Sequence, residues 1–420
     1  MVSSSYVIGL VSKGLVGGLT SRALMVMSDE ANHLSDVQTY TNNTLTGLNA
    51  LQGWYNRKTG LWDTTGWWNS ANCLTVLADF AALNTPMKGN LNIPDIIQNT
   101  YEQAQQTRMS AIKSLDVGRN GLVVSSYNFK PTSEYKDTGS KSTFGSSDTS
   151  EPSVVSKRGF DDFINDYYDD EGWWALALIR SHDLGVQGLG DQTYISAAND
   201  IFEDMRKGRS PCGGIYWSKV TDYTNAIANE LFFSVAASMA NRMPNKQYYV
   251  DIAVEQWKWF KGSGLINKDN LVNDGLTTAC KNNGGATWSY NQGVILGGLA
   301  ELYKATGDVS LLASADAIAK AAMSKLSRNG TLFEGCEPNC GADGAQFKGV
   351  FLRNLMYLHQ VAPQPAYRTY ILNNANTIWA KDRNVTTNQL GVTWPGPYTT
   401  SDAGAHSSAM DALVAAVAVV

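Results

Sequence analysis

One pattern of apolar and polar positions recurs along the chain: a polar or aromatic opening, an apolar helical run, then a short Gly, Asn or Pro stop. It occurs as WWNSANCLTVLADFAALN (67–84), DDEGWWALALIRSHDLG (169–185), NAIANELFFSVAASMANRMP (225–244), YNQGVILGGLAELYKATGD (290–308), FKGVFLRNLMYLHQVAP (347–363) and SSAMDALVAAVAVV (407–420). Between these lie more polar helical stretches at 29–52, 95–114, 191–207, 247–260, 309–326 and 366–380. Six apolar helices alternating with six amphipathic ones predict an inner ring shielded by an outer ring, an all-α (α/α)6 toroid. Strand signals are scarce: GLVVSSYNFK (121–130) is the best hairpin-like segment, and it opens a Ser/Thr/Gly-rich connection at about 121–158 that is expected to edge a cleft.

Residues 1–27 read as a signal or N-terminal extension, although Lys13 and Arg22 interrupt the apolar run, and 28–420 as a single domain. The N-terminal segment does not read as a transmembrane span, and AMDALVAAVAVV, which resembles a lipid-anchor signal but lacks its polar spacer of small residues, is expected to be a terminal core helix. The net charge of -5 and 17% charged residues do not favour nucleic acid as a partner, and four scattered histidines argue against a metal site. With 12 Trp and 19 Tyr the chain suits a cleft that stacks on a ring-shaped ligand, as in a carbohydrate handler. We expect a monomer without a cofactor.

The five cysteines leave at least one free thiol if the others pair. GCEPNCG (335–341) either closes as a small loop or keeps two surface thiols; we expect Cys336–Cys340, with Cys212–Cys280 as the second bond and Cys73 buried and free. Together with sequons at Asn42, Asn329 and Asn384, this favours secretion.

The openings of the apolar helices carry the candidate chemistry: Trp67, Trp68, Asn69 and Asn72; Asp169, Asp170, Trp173 and Trp174; Asn225 and Asn229; Trp288, Tyr290, Asn291 and Gln292; Phe347 and Lys348. Each alone is explained by helix capping or core packing. If all inner helices run the same way round a ring, the openings converge on one pocket, with Trp68, Trp174, Trp217 and Tyr290 to stack on sugar faces and the amides to bind hydroxyls. Asp169 and Asp170 suit a retaining glycosidase, in which one carboxylate attacks and the other delivers a proton. Glu171 reads as support, and Asp161, Asp162 and Asp166 as loop or first-turn structure. These acids lack the oxygen-ligand loop of an EF-hand, so no metal is expected. There is no P-loop, GxSxG elbow or HExxH motif.

Over about residues 33–418 the chain resembles glycoside hydrolase family 76, the endo-α-1,6-mannanases and their fungal cell-wall relatives. The resemblance rests on WWNSAN (67–72), YYDDEGWWALALI (167–179), CGGIYW (212–217), NAIANELFF (225–233), TWSYNQGVILGGLAELYKATGD (287–308) and FKGVFLRNL (347–355). It implies an (α/α)6 toroid in which Asp169 is the nucleophile and Asp170 the general acid/base of retaining α-1,6-mannoside cleavage. It implies a secreted or wall-associated enzyme whose substrate is α-1,6-linked mannan or mannooligosaccharides. GPI-anchored members of the family resemble transglycosylases, with a GPI-glycan or wall glucan as acceptor; the absence of a Ser/Thr-rich tail here departs from that branch. The reading outside catalysis is a mannan-binding wall scaffold, which predicts a damaged carboxylate pair.

Overall fold

The computed structural model describes residues 16–83, 91–106, 112–117, 123–128, 163–185 and 192–420. The inner ring is α2 (Trp67–Ala82), α4 (Tyr168–Asp183), α6 (Ala226–Met239), α8 (Ser289–Thr306), α11 (Phe347–Val361) and α13 (Ala403–Val419). Each packs on the next, and α13 returns to α2, so the ring closes. The outer layer is α1 (Val16–Leu51), α3 (Ile93–Ala104), α5 (Thr193–Met205), α7 (Lys246–Gly262), α9 (Val309–Lys325) and α12 (Pro365–Lys381). The fold is an (α/α)6 toroid.

The inner helices are buried on every face, which is why their sequences show apolar runs rather than a stripe. Where two inner helices approach closely, glycine is required: a Cβ at Gly298 would lie 2.5 Å from the Phe233 ring of α6. Turn chemistry sets the direction of each helix pair. Gly307 ends α8 in the left-handed region (φ 75°), and Asp308 caps α9 by accepting from Ser310 N at 2.9 Å. Asp402 does the same for α13, which therefore starts before the expected residue 407. His406, fully buried, ties this last helix to α1 through Gly47 O at 2.8 Å and accepts from Leu390 N.

Two further boundaries differ from expectation. α1 begins at Val16 rather than near residue 29. The helix predicted over 95–114 stops at Ala104, and β3 (Ile112–Val117) pairs antiparallel with β4 (Val123–Asn128). The β-branched and alternating residues of 112–117 outweigh the helical period there. The hairpin-like segment is thus half of a real hairpin, while the rest of the 121–158 connection, and Asp161 and Asp162, lie outside the described residues. Two short hairpins, β1 (Tyr55–Asn56) with β2 (Leu61–Trp62) and β5 (Ser327–Arg328) with β6 (Thr331–Leu332), and a one-turn helix α10 (Gly341–Gly344) complete the elements. The disulfides are Cys212–Cys280 and Cys336–Cys340, and Cys73 is a buried free thiol. Among the described residues no helix is long and apolar enough to cross a membrane.

Candidate active site

All six inner helices start at the same end of the toroid, so their first turns and the loops leading into them form one mouth. α4 enters it with Asp169, Asp170 and Glu171 in its first turn, 8%, 2% and 0% exposed. The positive end of the helix dipole favours the acids there. One turn below Asp169, Trp173 stacks on Trp68 of α2 with centroids 5.4 Å apart and on Tyr290 of α8 at 6.4 Å. Tyr290 continues the stack onto Phe347 of α11 at 3.8 Å. Four inner helices thereby share an aromatic floor beneath the paired aspartates. At the rim, the partly exposed Trp217 packs on Tyr167 and Tyr223 at 5.1 and 6.4 Å.

More acids converge on this floor. Asp343, on α10, accepts from Trp68 Nε1 at 3.0 Å. Asp274, on the loop before α8, accepts from Tyr223 OH at 2.5 Å and from the Trp288 indole. Burial pushes the Asp274 carboxyl up, and the charge of Asp169 adds to the shift. The Tyr290 phenol is pushed well up by burial and then by Asp274, Asp169, Glu230 and Asp343, so five acidic or phenolic groups share one electrostatic environment. Charge on any one of these carboxyls therefore opposes ionisation of the Asp274 carboxyl and the Tyr290 phenol.

Glu171 turns away from this cluster. Its Oε1 accepts from Lys219 Nζ at 2.6 Å and from Asn165 N at 3.0 Å, and Lys219 also meets Asp204 at 2.5 Å. Burial pushes the Glu171 carboxyl up against the pull of Lys219. For Lys219 burial works the other way, but Glu171 and Asp204 outweigh it and hold the ammonium's pKa up. Among the described residues no cluster of three or more His, Cys, Asp or Glu is placed to hold a metal ion.

Several residues expected in the pocket stand elsewhere. Trp67 and Trp174 pack on each other at 5.4 Å and on Phe163 at 6.4 and 4.8 Å, and Phe163 meets Tyr101 beside α3; they belong to the core between the layers. Successive residues on a helix diverge by about 100°, so only one of each Trp pair can face the axis. Asn69 accepts from Gly66 N and donates to Gln346, tying α2 to the α11 entrance. Asn72 accepts from Arg353 below the floor. Asn225 caps α6 by accepting from Ala228 N, and Asn229 is spent on Ile215, Asn225 and Gln256 of α7. Gln292 braces the Asp274 loop through Val272 N at 2.7 Å and Val272 O at 2.9 Å. Asn291 is fully buried within α8. Lys348 is 0% exposed, paired with Glu337 and donating to Val392 O behind the mouth rather than in it. Sequence reasoning missed Asn165, Lys219, Asp274, Asp343 and Glu230. The first four sit on loops or a one-turn helix without periodicity, and Glu230 was hidden in the apolar run of α6.

Comparison with known proteins agrees with this architecture. The chain is 30% identical over 213 residues to the mannan endo-1,6-alpha-mannosidase DFG5 of Candida albicans, covering 47% of each chain. It is 30% identical over 234 residues to DCW1 of the same organism, also a mannan endo-1,6-alpha-mannosidase, covering 50% of this chain and 51% of that one. The chain thus spans about half the length of the curated relatives it matches. Among solved structures, the GH76A alpha-1,6-mannanase of Salegentibacter sp. superposes with a TM-score of 0.67 at 18% identity, covering 90% of this chain and 98% of that one. An inactive variant of that enzyme, with two consecutive aspartates replaced by asparagine, was solved with alpha-1,6-mannotriose. Dfg5 of Chaetomium thermophilum, in complex with glucosamine, gives 0.67 at 18% identity over 91% of this chain and 90% of that one. At this identity the likeness establishes the fold. Residues 120–419 match glycosyl hydrolase family 76, and the chain belongs to that family.

Proposed function

We propose that this chain is an endo-acting α-1,6-mannanase that works with retention through Asp169 and Asp170. The observation that carries the reading is the pair of consecutive, nearly buried aspartates set over the Trp68–Trp173–Tyr290–Phe347 floor at the mouth of the toroid. The activity named for the curated relatives supports the linkage, and the inactive double-aspartate variant of a structural neighbour supports the role of such a pair.

In this mechanism an Asp169 oxygen attacks the anomeric carbon as the C1–O6 bond breaks, giving a mannosyl ester. Asp170 gives its proton to the departing O6. Asp170, now ionised, takes a proton from water; the hydroxyl bonds to C1, and Asp169 leaves as carboxylate. The floor offers ring faces for stacking, and Asp274 and Asp343 offer acceptors for sugar hydroxyls. The disulfides fit a secreted protein, and we assign it to the extracellular space or the cell wall, where mannan lies. We assign α-1,6-linked mannan or its oligosaccharides as substrate and a monomer as the working form. If a sugar hydroxyl of a GPI-glycan or glucan reaches the ester before water does, the same site transfers rather than hydrolyses.

The test is incubation with end-labelled α-1,6-mannooligosaccharides, with and without excess acceptor. Shortened products of initially α configuration by NMR are expected. Longer products or acceptor conjugates would establish transfer, an initial β anomer would exclude retention, and no turnover would leave the scaffold reading.

A further inference from the structure

The paired aspartates are next to one another on α4, yet their surroundings differ in one built feature: Asp170 is gripped by Asn165. The Asn165 side chain can be oriented from its neighbours alone. The backbone N–H of Tyr167 lies 2.8 Å from Asn165 Oδ1, and since an N–H can only donate, that end of the amide must be oxygen. The other end is therefore Nδ2, and it donates to Asp170 Oδ2 at 2.9 Å.

Asn165 is itself anchored. Its backbone N–H donates to Glu171 Oε1 at 3.0 Å, and that oxygen is held by Lys219 Nζ at 2.6 Å. Lys219 is fixed in turn by Asp204 at 2.5 Å, by its own backbone N–H to Asp166 O at 2.9 Å, and by the Tyr168 ring 5.2 Å from its ammonium. Glu171 is fully buried, so this chain of contacts runs through the interior from the rim loop to Asp170. These contacts aim a single N–H at a single carboxyl oxygen.

An oxygen that accepts an N–H cannot at the same time carry the proton toward that donor. Building on Asp170 as the acid/base, we propose that Asn165, locked by Tyr167 and the Glu171–Lys219 pair, is a positioning residue that confines the transferable proton of Asp170 to Oδ1. The same N–H favours the ionised form of Asp170, so without it the proton is harder to give up. Lys219 acts one step further back, by holding the Glu171 oxygen to which the Asn165 backbone donates.

The experiment compares two substrates that differ in their need for a proton. α-1,6-Mannotetraose expels a sugar alcohol, whereas 2,4-dinitrophenyl α-1,6-mannobioside expels a phenolate that leaves almost unaided. Asn165→Ala should lose roughly 10- to 100-fold in kcat/KM on the tetraose but only about threefold or less on the activated substrate, because positioned proton transfer is what the first needs. The alkaline limb of its kcat/KM profile should move to higher pH. Lys219→Met should shift that limb in the same direction by less, with a loss of roughly 3- to 10-fold on the tetraose. Equal losses on both substrates, or an unmoved alkaline limb, would overturn the assignment. If thermal unfolding shows that Asn165→Ala does not fold, Lys219→Met decides by the same criteria. Asp170→Asn separates the two levels: retained tetraose cleavage there sinks the acid/base reading itself, whereas an inactive Asp170→Asn beside an Asn165→Ala of wild-type behaviour sinks only the role of Asn165.

Discussion

The two ends of the inner ring handle charge in opposite ways. At the far end, where the inner helices finish, acids meet cations: Asp79 with Arg180 at 2.7 Å, and Arg242 with both Asp183 at 2.6 Å and Glu301 at 2.9 Å; midway along α11 and α13, Arg353 pairs with Asp411 at 3.1 Å. Tyr357 donates to Asp79 and lies 5.0 Å under the Arg180 guanidinium. Cations at helix C-termini also oppose the macrodipole. At the mouth, Asp169, Asp170, Asp274 and Asp343 gather over an aromatic floor instead. Trp173 marks the border, since it belongs to the floor stack above and lines a cavity with Asn72, Arg180, Arg353 and Tyr357 below. The difference separates what holds the ring together from what is available for chemistry: at one end acids matched by arginines, at the other carboxyls gathered over aromatic rings, with Lys219 spent on Glu171 and Asp204.

The strongest way to break the comparison is at the paired aspartates. Asp169→Asn and Asp170→Asn should each lower mannooligosaccharide cleavage by about 10³-fold or more with thermal unfolding little changed. Wild-type turnover in either would remove that residue from the mechanism. The converse effect is expected below the floor. Arg353→Met leaves the buried Asp411 without its partner and should destabilise the fold by about 3–5 kcal/mol in denaturant titration, while kcat/KM of the folded protein stays within about twofold.

A smaller effect concerns pH. Behind the mouth, burial pushes the Asp382 and Glu334 carboxyls up to about 7. Lys348 opposes the shift at Asp382 and Glu337 reinforces it. A carboxyl whose folded pKa lies above its unfolded value of about 4 contributes stability that is full below that pH and lost as pH rises through about 7. The Tm should therefore fall between pH 5 and pH 8. Asp382→Asn, a permanent stand-in for the neutral acid, should match wild type at the lower pH and exceed it at the higher by roughly 1–3 kcal/mol; a pH-independent difference would contradict the assignment. The smallest effect belongs to the rim. Trp217→Ala should raise KM for long oligosaccharides about fivefold, the loss of one stacking contact, with kcat nearly unchanged.

Much of this architecture is legible in the chain because it depends on periodicity. All-round apolar runs can only be buried helices, and runs such as 225–244 and 347–363 correspond to α6 and α11 within a turn or so at each end. Legibility failed where period and turn compete, as at 95–114, and where a helix opening offers two aromatic or amide residues side by side. Trp67 and Trp68 look alike in sequence, yet one faces α4 and the outer layer and the other faces the axis. Asn225 and Asn229 look like ligand amides and instead satisfy backbone groups. A buried amide is used by whichever orphan donor is nearest, and that is a property of the assembled layers.

Local patterning thus accounts for most of the long helices among the described residues and for the carboxylate pair at the start of α4, since each depends on neighbours within a few residues. Asp274, Asp343 and Lys219 reach the mouth from two loops and the one-turn helix α10, at 105, 174 and 50 residues beyond Asp169, and their place depends on ring closure between α13 and α2 and on the Cys212–Cys280 bridge. The grip of Asn165 on one oxygen of Asp170 is of the same kind. A side chain's identity is written locally, but its partner and its ionisation are set by which distant groups the packing brings within a few ångströms.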